Sequence, residues 1–167
     1  MTGLTVPLAT WLSESPVNAM VTQWLRTVPG LPPVLQTLHL LGVAMIMASL
    51  VVLALRSLGV MARSQQRQEM LARLIPWAWA GLLALVVSGL PFLIARPFRY
   101  FLNPVFGIKM AVLLLALIVS ALFVRAFRRS AREIQTRLLA TLTLLAWITV
   151  PLAGRWIAYS DYLFWPD

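Results

Sequence analysis

Hydrophobic positions in this chain do not alternate with polar ones; they come in four long runs. The runs cover residues 34–56, 74–95, 106–124 and 138–160, and short stretches rich in arginine or proline separate them. Each run is near the ~20 residues that a helix needs to cross a ~30 Å hydrocarbon core. A helix satisfies its own backbone hydrogen bonds in lipid, which an open strand cannot do. The strict two-residue alternation of a membrane barrel is missing. The pattern therefore predicts an all-α polytopic membrane protein: a four-transmembrane-helix antiparallel bundle in a single domain spanning 1–167. Pro91 and Pro151 fall inside the second and fourth runs, where they loosen the local helix.

Residues 1–33 carry a weaker pattern. Ser15-Pro16 is a cap followed by a first-turn proline. Val17, Met20, Val21, Trp24 and Val28 then recur at helical spacing, and Pro29-Gly30 ends the series. This predicts an amphipathic helix over 16–28, lying on the outer membrane interface or covering the top of the bundle.

Composition narrows the class. Of 167 residues, 60% are hydrophobic and 11% charged, and mean hydropathy is +0.85. Soluble domains carry roughly 25% charged residues. The net charge of +9 points, in so apolar a chain, to basic loops at an anionic membrane face and to no nucleic acid. Cysteine is absent and there is one histidine. That excludes disulfides, thiolate metal sites and an HExxH zinc motif.

The arginines also predict orientation. Arg56, Arg63, Arg67, Arg73, Arg125, Arg128, Arg129, Arg132 and Arg137 fall on one side of the four runs. Arg26, Arg96, Arg99, Lys109 and Arg155 fall on the other. The richer side is expected in the cytoplasm. This places the chain in a bacterial inner membrane with both termini periplasmic, and the lipid bilayer is its first partner. Residues 1–25 hold no Lys or Arg, unlike the basic start of a signal peptide.

Polar residues inside apolar runs are the candidates for chemistry, because lipid makes them costly. His39 shares a helical face with Gly42, Ile46 and Ser49, so it is expected to face the bundle. A histidine there is either bonded to a neighbouring helix or acts as a cofactor ligand or proton-linked group. The connection RPFRYFLNPVFGIK brings Arg96, Arg99 and Lys109 to the side otherwise poor in cations. Their heads either snorkel to lipid phosphates or form an anion site. In the fourth run Arg155 and Tyr159 are four residues apart on one face. Asp161 is a nearby counter-charge. Met45, Met47 and Met110 do not cluster with the histidine and read as core fillers rather than a copper site.

The segments LQTLHLLG, LIPWAWAG, RPFRYFLNPVFGIKM and GRWIAY together resemble a family of small bacterial inner-membrane proteins of unknown function. The resemblance covers nearly the whole chain and implies four helices without implying a mechanism. A looser likeness to copper-resistance membrane proteins and b-type cytochrome subunits rests on His39 near Gly42.

Three functions are carried forward. The first is an accessory or redox-associated membrane subunit. His39, Arg96, Arg99, Lys109, Arg155 and Tyr159 would line a periplasm-facing pocket for a quinone, a haem b or another anionic ligand, with His39 the only candidate metal ligand if haem or copper is bound. The second is a component of anion transport, which needs a homo-oligomer because four helices make a thin pore. The third is an anchor or assembly factor for a membrane or periplasmic protein partner. No nucleophile–base pair, carboxylate dyad or metal-ligand set is present, so the sequence offers no catalytic constellation. Reporter fusions within 59–73 are expected to report the cytoplasm; a periplasmic signal there would reverse the orientation.

Overall fold

The computed structural model describes residues 5–61 and 64–156. Among them all regular structure is helical. The helices are α1 (Thr5–Ser13), α2 (Pro16–Thr27), α3 (Leu31–Ser57), α4 (Arg67–Ala95), α5 (Pro97–Phe101), α6 (Pro104–Arg128) and α7 (Glu133–Trp156). Four of them, α3, α4, α6 and α7, are long and apolar enough to cross a membrane. The chain is accordingly a multi-pass membrane protein.

Local chemistry sets the ends of these helices. Proline occupies the first turn of α2, α3, α5 and α6, where its missing N–H costs nothing. The Ser15 side chain accepts from Asn18 N at 3.1 Å and starts α2. Asn103 Oδ1 accepts from Val105 N at 2.9 Å and starts α6. Gly30 has a positive φ and makes the left-handed turn between α2 and α3, a conformation that costs a residue without a Cβ little. The basic flanks 67–73 and 125–128 continue α4 and α6 beyond their apolar runs.

Residue pairs give the packing direction. On α3 and α4, Gly42 meets Gly81 and His39 meets Ser88, so one helix rises as the other descends. On α6 and α7, Ser120 meets Trp147 and Lys109 meets Gly154, again antiparallel. The two hairpins join chiefly through α3 and α7, while α4 and α6 barely touch. A Cβ built on Gly42 would lie 2.8 Å from the Gly81 carbonyl oxygen, and one on Gly81 would lie 2.7 Å from that of Gly42. Any larger residue at either place pushes α3 and α4 apart.

Among the small residues of the runs, Gly42, Ser49, Gly81, Ser88, Ala116 and Ser120 are buried. Two apolar clusters stack along the bundle. Ile46, Leu50, Leu85, Ala116, Trp147 and Val150 form the middle one. Leu53, Ala54, Met70, Leu71, Phe123 and Phe127 form the other, toward the basic end. Buried hydroxyls bond inside their own helices. Ser49 Oγ, for example, donates to the Met45 carbonyl at 2.8 Å. Outward side chains such as Leu83, Val87, Leu114 and Ile118 are exposed and match a hydrocarbon surround.

The opposite end is covered. Besides α2, the chain forms α1, which periodicity does not reveal. There α1 packs on α5 and α2 packs on α4. Asn18 Nδ2 donates to the Ile94 carbonyl, one of the last carbonyls of α4, which the helix cannot satisfy itself. Ala9 and Val21 are buried in this cap, while Val17, Met20, Trp24 and Val28 face out.

Gly81→Ala is expected to cost about 1–3 kcal/mol of unfolding free energy through overpacking. Gly107→Ala, whose new Cβ meets nothing within 4 Å, is expected to be neutral or mildly stabilising. Unfolding in mixed detergent micelles separates the two.

Candidate functional site

His39 lies in the third turn of α3, counted from the capped end of the bundle. The middle apolar cluster stops at Ile46, Leu85 and Val150, so the imidazole stands beyond the core rather than in it. It is half-buried, on the same face as buried Gly42, Ile46 and Ser49. That face turns toward the bundle.

The ring is held by α4. Nδ1 is 3.0 Å from Ser88 Oγ. The Leu85 carbonyl, one turn back along α4, is a further acceptor facing the ring. The ring edge lies over Gly89, where a Cβ would come within 3.5 Å of Cε1. Ser88 Oγ also lies within hydrogen-bond distance of the Ala84 and Leu85 carbonyls of its own helix, so a hydroxyl that both donates and accepts ties the ring to α4. The second ring nitrogen is Nε2. Among the described residues no donor hydrogen-bonds to it.

Lys109 enters from α6. Its Cε and Nζ both lie 3.5 Å from where a Cβ on Gly154 of α7 would stand, an ordinary van der Waals distance, so the ammonium lies against α7 at that glycine. Lys109 is half-buried and within Coulombic reach of His39. Among the described residues it meets no carboxylate. At this level, then, α3 supplies a ring, α4 its anchor, α6 a cation and α7 the surface it lies against.

The other expected site residues are arranged differently. Arg96 stands at the start of α5 and Arg99 in its last turn, and both are exposed. Arg155, beside Gly154, is exposed in the last turn of α7. All three are exposed at the capped end, whereas His39 and Lys109 are half-buried. Tyr159 and Asp161 lie outside the described residues. Tyr100, in the same connection, packs edge-on against Phe106 with ring centroids 5.3 Å apart. That contact stiffens the turn between α5 and α6.

Nothing in the sequence pairs Ser88 with His39. The signal is present only as a small polar residue in an apolar run, followed by Gly89. A second cross-helix bond is equally hidden: Trp147 Nε1 donates to Ser120 Oγ at 2.9 Å and links α7 to α6.

The chain belongs to DUF6644, a family of unknown function whose model matches residues 26–160. No curated protein matches the chain. No solved structure matches it.

In a double-mutant cycle, His39→Ala and Ser88→Ala are expected to couple by about 0.6 kcal/mol, the usual size of a bond between membrane helices. Ser120→Ala is expected to cost more, about 1–3 kcal/mol, because it leaves the buried Trp147 N–H without an acceptor.

Proposed function

We propose that this member of the family is a small accessory subunit of the bacterial inner membrane. In this reading its periplasm-facing mouth binds the headgroup of a quinone. The basic end, with the arginines of α4, α6 and α7, lies in the cytoplasm. The mouth formed around His39 and Lys109 then opens toward the periplasmic leaflet.

One observation carries the reading: among the described residues, a half-buried ammonium that meets no carboxylate stands within Coulombic reach of a ring whose Nε2 meets no donor. A cation in a low-dielectric place is costly unless something electron-rich offsets it. A quinone supplies that. Its carbonyl oxygen accepts from the Lys109 ammonium, and in the quinol form its O–H donates to His39 Nε2. Arg96, Arg99 and Arg155 form a cationic rim at the entrance. The same nitrogen suits the iron of a haem b, but one histidine provides a single axial ligand, so a quinone asks less of these residues.

A second reading, an anchor for a partner protein with no ligand, is favoured by a different observation. The His39–Ser88 bond already ties α3 to α4, and the rim arginines are exposed. In that reading the outer cap of α1, α2 and α5 would be the surface that meets the partner.

Purification in mild detergent followed by solvent extraction tests the proposal. Quinone is expected in the extract at close to one per chain. It is expected to fall severalfold in both Lys109→Met and His39→Ala, with helicity and insertion unchanged. A haem band in the visible spectrum would redirect the assignment to iron. A clean extract together with a stoichiometric co-purifying protein would replace it with the anchor reading.

A further inference from the structure

The other end of the bundle holds a cleft of about 360 Å³, lined by Arg56 of α3, Arg67 of α4, Phe127 of α6, and Glu133, Thr136 and Arg137 of α7. Its volume is at the lower end of the roughly 300–1,000 Å³ typical of small-molecule sites. We propose that this cleft is a binding site for a phosphate group, held between Arg56 and Arg67. It is separate from the mouth around His39 and independent of the quinone reading.

Charge is the first support. Three guanidinium groups line the cleft against one carboxylate, and that carboxylate is already engaged: Glu133 Oε1 pairs with Arg137 Nη2 one turn along α7. Among the described residues neither Arg56 nor Arg67 meets a carboxylate. Two positive charges are thus uncompensated in one cleft.

Unmet hydrogen bonding is the second. Arg56 Nε is buried and has no acceptor among the described residues. The same side chain reaches the Gln65 carbonyl only through a 3.4 Å contact from Nη2. Arg67 is held over the Phe127 ring, 5.5 Å from its centroid. The π face of the ring attracts the cation without supplying a hydrogen-bonding anion.

Backbone polarity is the third. The first turn of α4, 29 residues long, begins at the cleft with Arg67, and Gln66 supplies no side-chain cap. The 24-residue α7 begins there with Glu133. Both positive helix ends therefore reach the same place.

A tetrahedral phosphate offers several acceptor oxygens, matching two guanidinium forks and uncapped amides better than a planar carboxylate does. The phosphate has two natural sources. One is the headgroup of an acidic phospholipid in the leaflet at this end. The other is a free phosphate ion from the aqueous side. The chemistry at the arginines is shared.

The test uses the full-length chain in detergent. Native mass spectrometry is run with added phosphatidylglycerol or phosphatidylcholine, and thermal unfolding is followed with and without inorganic phosphate. Arg56→Gln and Arg67→Gln each keep side-chain bulk and remove a charge, and two variants guard against one failing to fold. Arg73→Gln, an exposed arginine of the same end outside the cleft, is the control. The proposal expects preferential retention of phosphatidylglycerol or a thermal shift with inorganic phosphate. The first outcome identifies the headgroup as the source and the second the free ion. Either effect should weaken about tenfold in each cleft variant, the loss of one charge-assisted hydrogen bond, and stay unchanged in Arg73→Gln. Equal retention of both lipids with no phosphate shift overturns the site. So does an Arg73→Gln loss as large as that of Arg56→Gln, which would make the attraction diffuse.

Discussion

At Gly42 and Gly81 the backbones of α3 and α4 touch, so closely that a Cβ on either residue would collide with the facing carbonyl oxygen. Lipid tails are as apolar as leucine, so helices in a bilayer gain little from hiding apolar surface against one another. Close approach and the dispersion contacts it allows are what remain. The glycine pair provides that approach and also sets the register. Once Gly42 lies on Gly81, His39 falls beside Ser88 and Gly89 toward one end. Toward the other end, Leu53 and Ala54 join Met70 and Leu71 in a shared cluster. The hydrogen-bond partner of the imidazole is therefore a consequence of where two glycines meet.

The two hairpins are held by different means. Backbone contact dominates between α3 and α4. Between α6 and α7 larger groups take that role, with Trp147 bonded to Ser120 and packed in the middle cluster. Polar residues gather beyond both ends of the apolar core. At the capped end, among the described residues, they include a half-buried ring, a half-buried ammonium, the buried serine bonded to the ring, buried Asn103 and the exposed Arg96, Arg99 and Arg155. At the basic end they are numerous, and only Glu133 and Arg137 form a pair among the described residues. Among the described residues each end thus presents more cations than anions. His39 and Lys109 stand inside the span, and Arg56 and Arg67 at its boundary.

Much of the fold was legible because membrane helices obey a simple constraint. Backbone groups in lipid must bond within the helix, so a long apolar run has one regular conformation available. The four helices and the helix capped by Ser15 follow from that and from cap chemistry. The short α1 did not show itself. Its residues, Thr5–Ser13, lack a polar face clear enough to mark a period, and it is held by packing on α5. The site was only partly legible. The stripe of Gly42, Ile46 and Ser49 marked the face on which His39 lies, and that face is buried as expected. Shared depth grouped Arg96, Arg99, Lys109 and Arg155, but depth does not distinguish a side chain that turns inward from one that turns out. Lys109 extends into the space beside Gly154, whereas Arg99 and Arg155 are exposed.

By itself the sequence determined class and topology: an all-helical multi-pass chain with a cap helix before the first span and its arginines concentrated at one end. These depend on hydropathy, helical period and charge count, which act within one stretch of chain. Partnership was decided only by tertiary structure. That Ser88 bonds to His39, that Lys109 lies against Gly154, and that Arg56 and Arg67 share a cleft with Glu133 are relations between helices far apart in sequence. A 3.6-residue period fixes which face a side chain occupies, but not which residue stands opposite. That depends on how closely two backbones approach, and here Gly42 and Gly81 set the distance.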